Sequence, residues 1–176
     1  VLIVSWDSFE GTMPGIDSPD IKRRRTSIQM STSSLWQPFT LGRVELKHRL
    51  ALAPMTRNRA NSDGTLSDLT ASYYGQRASL GLIITEGTQP SEDGQGYPNT
   101  PGIHTAEQVE SWRPTAEAVH EGGGVLFIQL MHAGRVSHPD NTPHHRQPVA
   151  PSAISAEQDI FTATGVKKTP VPRELR

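Results

Sequence analysis

Short apolar runs alternate with helical stripes along the middle of the chain, and together they predict an α/β fold. Three runs, at residues 49–54, 82–85 and 125–130, have the length and composition of buried strands. Near-continuous apolar strands are typical of a parallel sheet that is covered on both faces. Two segments between these runs carry apolar residues at helical spacing. From Leu35 onward we therefore predict a hairpin followed by β, α, β, α and β.

Two hairpins are predicted beside this α/β core. Apolar and polar residues alternate over residues 39–46, and Gly42-Arg43 at the centre suits a two-residue type II′ turn. Residues 160–162 and 166–168 lie on either side of Ala163-Thr164-Gly165 and predict a second, smaller hairpin. Several prolines interrupt the stretch between the third strand and this hairpin, so we predict a loop there.

The first helix is predicted between the first and second strands, and we expect Gly81 to end it. One face of this helix carries apolar residues at the spacing of successive turns. They are Leu66, Leu69, Tyr73 and Ala78.

The second helix has a clearer start signal than the first. The run from Thr105 to Gln108 reads as a capping box, in which a hydroxyl and a glutamine side chain satisfy amides of the first turn. Pro114 removes a hydrogen-bond donor and crowds the preceding turn, so it should kink this helix. We interpret Trp112 as a core residue.

Residues 1–34 have a different character from the rest. They combine prolines, glycines, the basic run 22–25 and a serine-rich stretch, with no sustained period. Such a composition buries too little apolar surface to offset the entropy of ordering. We predict a disordered or non-native tail over residues 1–34 and a folded domain over residues 35–176.

Composition excludes several classes of protein. At 176 residues the chain is long enough for one domain. A net charge of −1 gives no general attraction to nucleic acid or to a membrane surface, and no stretch approaches the ~18 apolar residues of a membrane helix. The absence of cysteine excludes disulfides, cysteine-based metal sites and a cysteine nucleophile. We expect a cytoplasmic location.

The candidate chemistry lies at the carboxyl ends of the three strands, where parallel α/β folds bind ligands. These ends are residues 54–57, 86–89 and 129–132, and they supply a hydroxyl, an amide, an imidazole and the open backbone of Gly87. This set suits a flat heteroaromatic ligand, and it offers no activated serine, carboxylate pair or phosphate loop for hydrolysis. We expect no metal site, because the spacing of the histidines (His132, His138, His144 and His145) suits none. From the residues alone, the prediction is a polar ligand site on an α/β sheet.

Five stretches, in order, resemble the Old Yellow Enzyme family of flavoproteins. They are LALAPMTRNRA at 50–60, YYGQRA at 73–78, IITEGT at 83–88, GYPNTPGI at 96–103 and QLMHAGRVS at 129–137. Members of the family are FMN-dependent NAD(P)H oxidoreductases and ene-reductases, including plant oxophytodienoate reductases and bacterial N-ethylmaleimide reductases. The resemblance covers about residues 35–176. It implies the first three βα units of a (β/α)8 TIM barrel, with the barrel incomplete.

The resemblance also implies roles for particular residues. Those matching the family's cofactor-binding positions are Pro54, Met55, Thr56, Gly87 and Gln129. The Thr56 hydroxyl would lie near O4 of the flavin ring, Gly87 would let the backbone meet the ring, and Gln129 would bond the pyrimidine edge. Tyr97 and Met131 match positions that line the substrate pocket. Many members carry a tryptophan at the position that Met131 occupies here.

The implied reaction passes hydride from NAD(P)H through FMN to the C=C bond of an α,β-unsaturated carbonyl compound. The family's carbonyl-binding histidine pair (or histidine and asparagine) and its proton-donating tyrosine are expected beyond residue 176, so no catalytic residue is assigned. Three hypotheses follow. The chain is a flavin enzyme or a piece of one, a non-catalytic module that associates through exposed sheet edges with itself or with a full-length relative, or a fragment that does not fold alone.

Overall fold

The structure is a computed structural model that describes residues 32–175. Most of the predicted tail, residues 1–31, lies outside the described residues, and its last three residues begin a short 3-10 helix at Thr32–Trp36. The first hairpin follows as predicted, with β1 (Phe39–Leu41) antiparallel to β2 (Val44–Leu46). Gly42 has a φ of 61°, as the first central residue of a type II′ turn requires.

A three-stranded parallel sheet forms the centre of the molecule. Its strands are β3 (Ala51–Leu52), β4 (Leu82–Thr88) and β5 (Leu126–Leu130), and β4 lies in the middle. Compared with the predicted strands, β3 is shorter and β4 runs three residues further. A register shift interrupts the β4–β5 ladder between Ile84 and Gly87. That irregularity lies next to the candidate site.

The core is packed between one face of this sheet and the helices. Register aligns Leu52, Ile83 and Leu126 across the three strands, and Ile83 is fully buried against Tyr74 and Val119. Because side chains alternate between the faces of a strand, the residues that follow these three point to the opposite face.

Helix α1 (Asp68–Gly75) lies in the predicted place but buries a different face. The predicted stripe included Leu69, which is 67% exposed, whereas Thr70 and Tyr74 are buried. The helix also ends before Gly81, so Ala78 reaches the core from the turn that follows it. The hydroxyl of Tyr74 accepts the buried backbone amide of Glu86, which explains why this tyrosine takes the inner position.

The second predicted helix is two helices, α2 (Ala106–Ser111) and α3 (Arg113–Glu121). Trp112 joins them, and Pro114 occupies the first turn of α3, where its missing N–H costs no helical bond. The predicted kink is therefore a complete break. Trp112 is buried and donates its indole N–H to the carbonyl of Gly102 at 3.1 Å, which confirms its predicted core position.

The capping box at the start of α2 is present as predicted. The Thr105 hydroxyl accepts the amide of Gln108 at 3.2 Å, and the Gln108 side chain accepts the amide of Thr105. Gln108 also donates to the carbonyl of Asp63, so the cap ties α2 to the loop after β3.

Replacing Thr105 with alanine should therefore lower the free energy of unfolding by about 1 kcal/mol, the usual cost of losing a cap. Chemical denaturation monitored by circular dichroism would measure the loss. Thr105→Ser keeps the accepting oxygen and should retain most of the stability. Equal losses in the two variants would show that the cap bond contributes nothing.

Beyond β5 the chain forms two small strand pairs. Parallel strands β6 (Val149–Ala150) and β9 (Arg173–Glu174) were not predicted. The hairpin of β7 (Asp159–Thr162) and β8 (Gly165–Lys168) was predicted, and its turn contains two residues rather than three.

The sheet is open within the described residues. Phe127 lies on the face opposite the helices and is 41% exposed, and strands β3 and β5 form the two edges. A βα succession with one uncovered face has the form of part of a barrel, since a closed barrel would cover that face. No helix in residues 32–175 is long and apolar enough to cross a bilayer.

Candidate flavin-binding site

The carboxyl ends of the three parallel strands bring the predicted cofactor-binding residues together. Pro54, Met55 and Thr56 follow β3 and are exposed. Gly87, near the end of β4, is paired in register with Gln129 of β5. All five lie at one end of the sheet, where βα barrels carry their sites.

Gly87 allows close packing at this end of the sheet. A Cβ atom built there would lie 2.4 Å from Cε of Met131 and 2.7 Å from its sulfur. The Met131 amide in turn donates to the carbonyl of Thr88 at 2.9 Å. The predicted pocket residue Met131 therefore lies directly against the predicted cofactor-binding residue Gly87.

Two polar groups at this end have no partner in the described part of the chain. The Thr56 hydroxyl and the Gln129 carboxamide make no hydrogen bond to any residue among 32–175. The Gln129 backbone is nevertheless fixed, since its amide donates to the Thr85 hydroxyl at 3.2 Å. Strand alternation places the Gln129 side chain on the same uncovered face as Phe127. A hydroxyl and a carboxamide on either side of a glycine fit the polar edge of a flat ring such as that of FMN.

The segment carrying Tyr97 is tied to the loop after β5. Gly94 accepts the amide of Ala133 at 2.9 Å, and Gln95 accepts the hydroxyl of Ser137 at 2.7 Å. A Cβ at Gly96 would lie 2.5 Å from Cβ of Ala133, so the two segments are in direct contact there. Tyr97, half-buried, thus belongs to the same group of loops as Met131. The pocket roles of both residues stay predictions.

A buried carboxylate beside Gly87 was not predicted as a site residue. Glu86 is 3% exposed, and its Oε2 accepts the backbone amide of Arg57 at 2.9 Å. Burial raises the pKa of this carboxyl, whereas the Arg57 and Asn58 amides and the Arg57 charge lower it. The backbone amide of Glu86 donates to the Tyr74 hydroxyl at 2.9 Å, and burial also raises the pKa of that phenol.

The sequence contains one signal for the bond between the Glu86 carboxylate and the Arg57 amide. A charged residue that closes an otherwise apolar strand must find a partner if the strand is buried. The partner is a backbone amide, and no side-chain pattern reveals it.

Comparison with known proteins identifies the family. A model of the NADH:flavin oxidoreductase / NADH oxidase family matches residues 34–175. Among curated proteins, the chain is 44% identical over 143 residues to 12-oxophytodienoate reductase 1 of Oryza sativa subsp. japonica, covering 81% of this chain and 36% of that protein. It is 45% identical over 118 residues to 12-oxophytodienoate reductase 2 of Arabidopsis thaliana, covering 66% of this chain and 31% of that protein.

Comparison with solved structures points to the same group of flavoproteins. The old yellow enzyme homologue of Zymomonas mobilis is 45% identical and superposes with a TM-score of 0.78 over 81% of this chain and 40% of that one. Morphinone reductase in complex with tetrahydroNAD gives a TM-score of 0.75 at 44% identity, over 81% of this chain and 41% of that one. These likenesses confirm the predicted fold class, an incomplete portion of the TIM barrel.

The chain spans between 31% and 41% of the length of the relatives and structures named here. FMN and a reduced nicotinamide are the cofactors of the family to which these proteins are assigned. With the family model matching most of its length, the chain belongs to the NADH:flavin oxidoreductase / NADH oxidase family, as its resemblance to Old Yellow Enzyme implied.

Proposed function

We propose that this chain contributes one wall of the flavin site of an FMN-dependent NAD(P)H oxidoreductase of the ene-reductase type. The names of its relatives, 12-oxophytodienoate reductase and morphinone reductase, point to carbonyl compounds with a conjugated C=C bond as the substrate class. FMN, when bound, would supply the hydride chemistry, taking hydride from NAD(P)H and giving it to the activated alkene.

The unpartnered pair of Thr56 and Gln129 is the observation that carries this proposal. Both groups lie at the strand ends, on either side of Gly87, where the absence of a Cβ lets the Met131 side chain pack against the strand. In the proposed site the Thr56 hydroxyl would donate to a ring carbonyl, and the Gln129 carboxamide would pair with the donor and acceptor edge of the ring. Hydrogen bonds to the ring are one of the ways in which a protein tunes the electronics of a bound cofactor.

Replacing Thr56 with valine should weaken FMN binding about fivefold, because one hydrogen bond contributes about 1 kcal/mol. The test is fluorescence titration of FMN with the purified 176-residue chain and its variant. Thr40→Val in β1, an exposed threonine on the first hairpin, is the matched control and should leave the Kd unchanged.

The visible spectrum of the desalted chain is the companion measurement. A retained flavin band would show that the strand ends hold the ring. Wild-type chain that neither retains nor binds FMN would contradict the proposal.

The uncovered sheet face favours a second candidate, self-association. Phe127 of β5, on this face, is 41% exposed, and unpaired strand edges are ready templates for another strand. In this alternative the chain is a non-catalytic module that pairs with a second copy through β3 or β5. Sedimentation of the flavin-free chain would distinguish the two: a defined dimer without FMN affinity favours the module, and a flavin-binding monomer favours the enzyme.

A further inference from the structure

The segment that carries Thr56 has little to hold it in place. Strand β3 ends at Leu52, so Pro54, Met55 and Thr56 lie beyond the β3–β4 ladder and are exposed. Pro54 has no amide to donate. A hydroxyl on such a segment can bond a ligand well only if something else fixes the backbone, because ordering it on binding would cost affinity.

Glu86 provides that attachment. Its carboxylate accepts the amide of Arg57, the residue directly after Thr56, at 2.9 Å. The bond joins the segment after β3 to the end of β4, one residue before Gly87. It is a partly buried bond to a carboxyl group, and hydrogen bonds to carboxylates are among the stronger ones in proteins.

Two aromatic residues of α1 hold the same junction from the other side. The Tyr74 hydroxyl accepts the amide of Glu86, which fixes the strand at the residue that carries the carboxylate. The Arg57 guanidinium lies 4.8 Å from the centre of the Tyr73 ring, and Arg77 lies 3.8 Å from it. Arg57 is therefore held by its backbone amide and by its side chain.

We propose that Glu86 is a positioning residue of the flavin site, which places the Thr56 hydroxyl by binding the Arg57 amide. This role rests on the flavin-binding function proposed above. It assigns to Glu86 no contact with the flavin or the substrate.

Three variants test whether this role depends on the hydrogen-bond acceptor at residue 86. Glu86→Gln keeps an accepting oxygen at the same distance along the side chain, so it should retain the Arg57 bond and most of the FMN affinity. Glu86→Ala leaves the Arg57 amide without its acceptor and should raise the Kd for FMN by up to about fivefold, the loss expected when the Thr56 bond itself is removed. Glu45→Ala, an exposed glutamate of β2, is the control and should leave the Kd unchanged.

A double-mutant cycle distinguishes positioning from general destabilisation. If Glu86 acts through the Thr56 hydroxyl, Glu86→Ala should have little further effect on the Kd in a Thr56→Val background. The reduction potential of bound flavin should shift in Glu86→Ala as it does in Thr56→Val, and Glu86→Gln should restore it. Equal losses of affinity in both backgrounds, or a potential that Glu86→Ala leaves unchanged, would overturn the positioning role.

Hydrogen exchange of the Arg57 amide supplies a readout that needs no flavin. The amide should be protected in the wild-type chain and in Glu86→Gln, and it should exchange faster in Glu86→Ala. Fast exchange in the wild type overturns the positioning role alone. Protected exchange in a wild-type chain that binds no FMN overturns the proposed function and removes the flavin role of Glu86, while the attachment itself stands.

Discussion

Ile83→Ala should destabilise the chain by about 2–5 kcal/mol, the largest loss expected from a single truncation in this fold. Ile83 is fully buried at the centre of the parallel sheet, between Leu52 and Leu126 on the neighbouring strands. Its side chain packs against Tyr74 and Val119 of the two main helices. Truncation would leave a cavity between the central strand of the sheet and helices α1 and α3.

Urea denaturation followed by circular dichroism measures this loss, with tryptophan fluorescence, to which buried Trp112 contributes, as a second probe. Val166→Ala is the control, since Val166 of β8 is 67% exposed and its truncation should change stability by less than about 0.5 kcal/mol. A loss for Ile83→Ala as small as that of the control would mean that residues 32–175 do not form this core in solution.

The sequence predicts the order of the central elements because their signals are local. Apolar runs for β4 and β5, the Gly42 turn and the Thr105 capping box each depend on a few neighbouring residues, and the structure contains all four. Strands β6 and β9 depend instead on a pairing across more than twenty residues, and two-residue strands leave no period to detect.

The inner face of α1 shows where sequence pattern is insufficient. By hydrophobicity Leu69 should be buried, and it is exposed, whereas Thr70 and Tyr74 take the inner positions. The Tyr74 hydroxyl satisfies the buried amide of Glu86, and a leucine could not do so. Tertiary polar pairing outweighs the hydrophobic stripe here, and only the three-dimensional arrangement shows it.

The candidate site also has one part that the sequence predicts and another that it does not. Thr56, Gly87 and Gln129 could be proposed from sequence because strand ends in α/β folds converge and because their motifs resemble a family. The supporting bonds could not, since Glu86 acts on a backbone amide of Arg57 and any residue at position 57 except proline would offer the same amide.

Gly81→Ala should be the most disruptive of the glycine substitutions at the sheet, lowering stability by about 3 kcal/mol. A Cβ at this position would lie 2.2 Å from the carbonyl oxygen of His48 and 3.0 Å from its carbonyl carbon. Backbone atoms cannot turn aside as a side chain can. The amide of Gly81 also donates to the carbonyl of Leu50, so the clash falls where the chain enters β3 beside β4.

The same clash should reach the candidate site, because separating β3 from β4 at Leu50 pulls Arg57 away from Glu86. We therefore expect Gly81→Ala to speed exchange of the Arg57 amide as well as to lower the midpoint of urea denaturation. Gly42→Ala is the comparison: nothing lies within 4 Å of its Cβ, and only its φ of +61° opposes alanine, at about 1 kcal/mol. In the Gly42→Ala variant, the Arg57 amide should stay protected from exchange. If Gly81→Ala costs no more than Gly42→Ala, the close approach of His48 to Gly81 does not exist in solution, and the β3–β4 junction that supports Thr56 must be held in another way.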